Sequence, residues 1–212
     1  MLVRAAGGGP AFVLATAAAR HRPELAVEHA ARWFAGLGLE VEELPATKRS
    51  HATSRDNAER ARAGRFFYLV GGDPGVVPKT LAGTPLWDAV VAAWREGAAL
   101  AGSSAGAMAL GAWTLVRDRM PGDDRRRYLP ALGLVPKVAV LPHFETFGHR
   151  WVPSASERPD AVLVGIDERS AAVWSDGAWR ALGAGGVTVI ASGERRAFGP
   201  GSEIEGLPQP VA

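Results

Sequence analysis

The chain has 212 residues, enough for one α/β domain or one sandwich that buries about two thirds of its unfolded surface. Its 47% hydrophobic and 22% charged residues exclude disordered and fibrous classes, and a net charge of +2 is too small for a nucleic-acid footprint. The absence of cysteine removes disulfides, thiolate metal sites and every cysteine-nucleophile mechanism. The apolar stretch Ala11 to Ala19 follows three glycines and Pro10, with Arg4 the one early side-chain charge, and reads as a buried first strand rather than a secretory signal. No run reaches membrane-spanning length. These features place the protein in the cytoplasm, without a membrane or polyanion partner.

In the first half, strand-like and helix-like segments alternate, the pattern of a mostly parallel sheet with helices on both faces. After a strand at Ala11 to Ala15, Pro23 to Leu37 reads as a helix with Ala26, Ala30, Trp33, Phe34 and Leu37 on one face and Gly38 as its stop. Leu39 to Leu44 alternates as a strand, Asn57 to Ala63 is a short polar helix, and the strand Phe66 to Val70 runs into Gly71-Gly72-Asp73-Pro74. Leu86 to Glu96 is an amphipathic helix. Ala98 to Ala101 is an apolar strand ending on Gly102, and a helix should start near Ala105.

Beyond it, Asp118 to Tyr128 reads as a charged loop. The basic run Arg117 to Arg127 within this region is broken by Asp118, Asp123 and Asp124, which fits a solvated face rather than a phosphate strip. Strands follow at Val138 to Leu141, ending on Pro142-His143-Phe144, and at Ala161 to Ile166, ending on Asp167-Glu168. Ala171 to Trp174, Trp179 to Leu182 and Val187 to Ala191, separated by glycine turns, read as antiparallel hairpins, with an irregular tail after Gly199. With no linker or repeat visible, residues 1–212 read as one domain.

The run Gly102-Ser103-Ser104-Ala105-Gly106 has the Gly-x-Ser-x-Gly pattern, which composition alone would produce in about one such chain in seven. Its setting is more telling: an apolar strand precedes it and a helix-forming run follows, as a nucleophile elbow requires. The bland alternative is a glycine turn with a capping serine. A serine hydroxyl needs a base, and the base a third group to orient it. His143 ends an apolar strand at the same predicted sheet edge as Ser104, whereas His21, His29 and His51 read as surface residues and His149 as a weaker loop candidate. A metal reading of His143, Glu145 and His149 matches no standard zinc spacing. Glu168 and Asp167 lie just past another strand end, and alternation lets only one of them face His143. Backbone N–H groups for an oxyanion would come from Ala105 and from the Gly71-Gly72-Asp73 turn, through Gly72.

These residues resemble the dipeptidase E and cyanophycinase family of serine peptidases. The likeness runs from Phe66 through Trp174 and rests on Gly71-Gly72-Asp73, Leu81-Ala82-Gly83-Thr84-Pro85-Leu86, Gly102 to Ala107, Gly133-Leu134, His143-Phe144 and Gly165-Ile166-Asp167-Glu168. It implies an α/β fold like that of class I glutamine amidotransferases, with serine in place of their cysteine. It also implies Ser104 as nucleophile, His143 as base, Glu168 as acid, and Gly72 with Ala105 as oxyanion hole. The wording of the Gly71 and Gly165 motifs is closer to cyanophycinases, which cleave β-aspartyl-arginine peptides, than to aspartyl dipeptidases. The expected reaction is therefore hydrolysis of small peptides or isopeptides, with no cofactor and no metal.

Two departures stand out. Pro74 replaces an amide or small polar residue, and the segment Glu145 to Arg158 is short where relatives supply an arginine for the substrate's aspartate. Asp73 and Arg150 are the nearest substrate-contact candidates. An α/β-hydrolase esterase would place the acid before the histidine in the chain, and here it follows. A fold-retaining, catalytically idle binder of small ligands is the non-enzyme alternative. Trp113, Trp151 and Trp174 suit core packing or the interface of a homodimer.

Overall fold

A computed structural model describes residues 2–118, 125–158 and 160–211 of the chain. Contacts divide it into two compact units, the division falling between Ala107 and Met108.

The first unit opens with a short helix, α1 (Leu2–Ala5), and holds a four-stranded, wholly parallel sheet in the order β2-β1-β3-β4. Its strands are β1 (Ala11–Leu14), β2 (Glu42–Glu43), β3 (Phe66–Leu69) and β4 (Ala99–Gly102). Every residue of β1 is buried, as expected of a strand paired on both sides and covered on both faces. On one face Val13 and Phe66 pack with Ala30 and Phe34 of α2 (Pro23–Ala35). On the other, Phe12 stacks on Phe67 at 5.8 Å, and Arg60 of α4 (Arg55–Arg62) lies over the Phe12 ring. Alternation along each strand thus gives each helix layer its own set of side chains.

The remaining helices are α3 (Arg49–Ala52), α5 (Val76–Leu81) and α6 (Pro85–Arg95). The motif around Gly83 is explained by the start of α6. Gly83 has φ +62°, the Thr84 hydroxyl accepts from the Trp87 N–H at 3.3 Å and donates to Leu81 O at 2.7 Å, and Pro85 fills the first helical position.

Several predicted boundaries shift. Helix α2 stops at Ala35, and Trp33 and Leu37, expected to face inward, are 70% and 54% exposed. The buried stripe is narrower than the hydrophobic residues suggest, because Ala30 and Phe34 alone among the α2 residues are buried. Of the expected strand Leu39 to Leu44, only Glu42–Glu43 pair with β1, and Leu44 closes the segment by donating to Val13 O at 3.0 Å.

Helix α7 (Ala105–Leu110) contains the division between the units. The second unit carries a six-stranded sheet ordered β12-β11-β8-β7-β5-β6. These strands are β5 (Gly111–Arg117), β6 (Arg126–Pro130), β7 (Val135–Pro142), β8 (Val162–Ile166), β11 (Val187–Ala191) and β12 (Glu194–Phe198). Strands β5, β7 and β8 run parallel, and β6, β11 and β12 add antiparallel. Strands β9 (Ser170–Ser175) and β10 (Ala178–Gly183) form a separate hairpin. Asp176 and Gly177 join β9 to β10, and Ser192 and Gly193 join β11 to β12, each pair with both φ angles positive, as type I′ hairpin turns require.

The expected loop from Asp118 to Tyr128 lies in part, at 119–124, outside the described residues, and Arg126 to Tyr128 belong to β6. A short helix, α8 (Val152–Ala155), precedes β8. Trp151 is buried beneath the Arg126 guanidinium, Arg158 lies 3.8 Å over the Trp113 ring, and Trp174 packs against Trp179. Burial lifts the Tyr128 hydroxyl pKa to about 12, and that hydroxyl donates to Ala155 O at 2.6 Å. After Gly199 the chain is irregular, tied down by Val211 donating to Leu134 O. No described helix is long and apolar enough to cross a membrane.

Candidate active site

Ser104 occupies the turn between β4 and α7 with φ +47°. A non-glycine residue in the left-handed region is strained, by roughly 1–3 kcal/mol, and persists only when its surroundings enforce it. The enforcement is visible in the glycines. A Cβ on Gly106 would lie 2.1 Å from Leu69 O and 2.8 Å from Val70 O, and one on Gly102 would lie 2.6 Å from the Gly106 carbonyl carbon. Ser103 donates to Leu69 O at 3.0 Å, which ties the turn to the end of β3. The small residues of the motif are thus required by close backbone packing. Gly106→Ala is expected to lower stability by about 3 kcal/mol or more, since its methyl would meet rigid carbonyls rather than movable side chains; a thermal melt checks it.

The loop after β3 borders the same turn. A Cβ on Gly71 would stand 3.1 Å from Ser104 Cβ. Gly72 has φ +147°, and a Cβ there would fall 2.2 Å from Ala17 O. Asp73 is held on three sides: its N–H donates to Ala17 O at 2.8 Å, its Oδ1 accepts from the Gly75 N–H at 2.8 Å, and its Oδ2 is 3.5 Å from Arg20 Nη1. Arg20 escaped sequence reading because no local pattern links it to Asp73. Ala105 is buried and is the first residue of α7, a position whose N–H has no partner within the helix.

In the second unit, His143 follows β7 with φ +52°. Its Nδ1 lies 2.5 Å from Glu168 Oε1. A carboxylate accepts only, so the Nδ1 proton is the one shared and Nε2 of a neutral ring keeps its lone pair. Phe147 stacks on the imidazole at 4.9 Å, and His143 O accepts from the N–H groups of Phe147 and Gly148 at 3.0 and 2.9 Å.

Glu168, after β8, is the acid that meets His143. Asp167 points elsewhere: its Oδ2 accepts from the Gly186 N–H at 2.9 Å, and its own N–H donates to Gly186 O at 3.2 Å. Of these two acids, Glu168 is therefore the histidine's neighbour. Glu145, which by sequence reads only as a metal-ligand candidate, joins these residues. Both carboxylate oxygens of Glu145 accept from the Glu168 N–H, at 2.8 and 2.9 Å. His149 Nδ1 lies 2.9 Å from Phe144 O. Among the described residues, no three His, Asp or Glu side chains gather as a metal site. Arg150 is exposed in the short 3-10 turn Gly148–Trp151.

The sequence expectation of one common sheet edge is thus divided. Ser104 and Gly72 follow strands of the four-stranded sheet, and His143 and Glu168 follow strands of the six-stranded one.

The model of peptidase family S51 matches residues 9–182. The chain belongs to that family. The chain is similar to the cyanophycinase of Trichormus variabilis (strain ATCC 29413 / PCC 7937), 30% identical over 194 residues that cover 87% of this chain and 65% of the relative. The chain therefore spans about two thirds of the length of that relative. A crystal structure of a peptidase from an acI-B1 Actinobacterium superposes with a TM-score of 0.81 at 28% identity, covering 96% of this chain and 87% of the other. A peptidase E-type protein from Listeria monocytogenes EGD-e gives a TM-score of 0.57 at 20% identity over 91% and 86% of the two chains, a likeness of fold alone.

Proposed function

We propose that the protein is a serine peptidase that hydrolyses small peptides or isopeptides, aspartyl or β-aspartyl in character, through an acyl-enzyme. The observation that carries this reading is the left-handed backbone of Ser104 at a strand-to-helix turn, packed so closely that its flanking glycines admit no side chain. The His143–Glu168 pair supports it by supplying a histidine whose tautomer is set, and family membership supports the reaction class.

In the proposed reaction, Ser104 Oγ attacks the scissile carbonyl carbon as its proton passes to His143 Nε2. The carbonyl oxygen gains the negative charge and is received by the Gly72 and Ala105 N–H groups. The intermediate then collapses, the C–N bond breaks, and the imidazolium returns the proton to the departing amine. Water, deprotonated by the same imidazole, attacks the ester, and the acid product leaves with Ser104 restored. Glu168 keeps the imidazole oriented and stabilises its charged form. Asp73 and Arg150 are assigned to substrate contact, and the substrate class follows from resemblance to cyanophycinase.

A fluorophosphonate probe tests the nucleophile. One covalent adduct is expected on the intact protein and none on Ser104→Ala; an adduct that survives this substitution removes Ser104 from the mechanism. A panel of aspartyl-X and β-aspartyl dipeptides then tests substrate class, and turnover of neither places the specificity elsewhere.

A further inference from the structure

We infer that Glu145 is a positioning residue, which holds Glu168 against His143 by gripping the Glu168 backbone; this rests on the reading of His143 as the general base. Three observations converge. Both Glu145 oxygens accept from the one Glu168 N–H at 2.8 and 2.9 Å. Glu168 Oε1 in turn meets His143 Nδ1 at 2.5 Å. Glu145 itself stands two residues after His143, in the tight turn that His143 O closes by accepting from the Thr146, Phe147 and Gly148 amides. The contacts therefore form a closed ring: imidazole to Glu168 side chain, Glu168 backbone to Glu145 side chain, and Glu145 back along the chain to His143.

The ring matters because the pair it secures is wet. The side chains of His143 and Glu168 are 30% and 49% exposed. A hydrogen-bonded pair exposed to this degree is held weakly, since water competes for both partners and each side chain keeps rotamer freedom to lose. Glu145 is exposed as well, but both of its oxygens converge on one N–H, and a hydrogen bond with one charged partner is about twice as strong as a neutral one. Placed on the backbone of Glu168, it fixes the Cα from which the acid reaches the histidine. Phe147, stacked on the imidazole at 4.9 Å from the same turn, limits tilting of the ring. One six-residue stretch, 143–148, thus carries the base, its stacking partner and the anchor of its acid.

The test uses the full chain and needs no natural substrate. Glu145→Ala removes both acceptors, whereas Glu145→Gln keeps one. With a fluorophosphonate as probe, the maximal labelling rate of Ser104 should fall about tenfold in Glu145→Ala and less in Glu145→Gln, the loss of roughly one hydrogen bond's worth of orientation. The half-saturating probe concentration should stay within about twofold of wild type, as expected of a residue that does not touch the ligand. Proton NMR of the resting protein should show the downfield His143 Nδ1–H signal broadened or lost in Glu145→Ala and retained in Glu145→Gln. An unchanged Nδ1–H signal in Glu145→Ala, or a rise in half-saturating concentration at an unchanged maximal rate, overturns the proposal. The NMR measurement involves no chemistry at Ser104. Wild-type protein that fails to label while the signal still responds to Glu145 therefore counts against the peptidase reading alone.

Discussion

Ser104→Gly should melt above Ser104→Ala while both variants lose activity together. Alanine removes the hydroxyl but keeps a Cβ at φ +47°, whereas glycine removes both. A left-handed non-glycine residue carries roughly 1–2 kcal/mol of local cost. Glycine surrenders part of the difference through a freer unfolded chain, about 0.4–1 kcal/mol. The net gain of Ser104→Gly over Ser104→Ala should be near 1 kcal/mol, a rise of about 2–4 °C in a chain of this size. Turnover should fall on the order of 10⁶-fold in both, as when a serine nucleophile is deleted elsewhere. Calorimetry beside a peptide hydrolysis assay checks the pair. A Ser104→Gly protein that melts lower would show that the turn is not strained by its side chain. The stability cost is then a direct measure of how far the fold is bent toward presenting one hydroxyl.

Glu168 and Asp167 should separate in opposite directions. Glu168→Gln leaves a neutral amide beside His143 Nδ1, which no longer fixes the tautomer or stabilises the imidazolium, so turnover should fall about 10³–10⁴-fold at nearly unchanged stability. Asp167→Ala removes the acceptor of the Gly186 N–H and should cost about 1 kcal/mol in a melt with turnover close to wild type. If Asp167→Ala were the inactive variant and Glu168→Gln the active one, the acid would have been assigned to the wrong neighbour.

How much of this could be read beforehand follows physical locality. The strands β1, β3, β4, β7, β8 and β11 were legible because each is an apolar run cut off by Gly, Pro or a polar pair, and the tight turn at Ser104 was legible because close packing leaves a glycine signature. Helix α5 was hidden by Pro78. That residue lies in its first turn, where the missing N–H breaks no helical bond, and Val76, Val77 and Leu81 are nonetheless buried. Strand β12, reading Glu-Arg-Arg-Ala-Phe, has no strand pattern of its own; the turn at Ser192-Gly193 folds it back on β11. Trp33 looked like a core residue by spacing, but spacing does not reveal how wide a stripe the sheet will cover. At the site, His143 and Glu168 could be found from strand ends. Glu145 could not be tied to Glu168, because its partner is a backbone N–H 23 residues away and any residue carries one of those.

The composition of β12 bears on how the protein behaves at high concentration. It is the outermost strand on its side of the six-stranded sheet, with Glu194, Arg195 and Arg196 exposed in succession. An outer strand offers unpaired backbone groups to any extended chain that drifts alongside, which is the first step of edge-to-edge aggregation. Here three successive charged residues line that edge, Arg195 over the Phe144 ring and Arg196 paired with Glu205, and charged side chains on an outer strand discourage such pairing because they must be stripped of water for a second chain to dock. The strand that looked least like a strand thus carries its charges where the sheet ends.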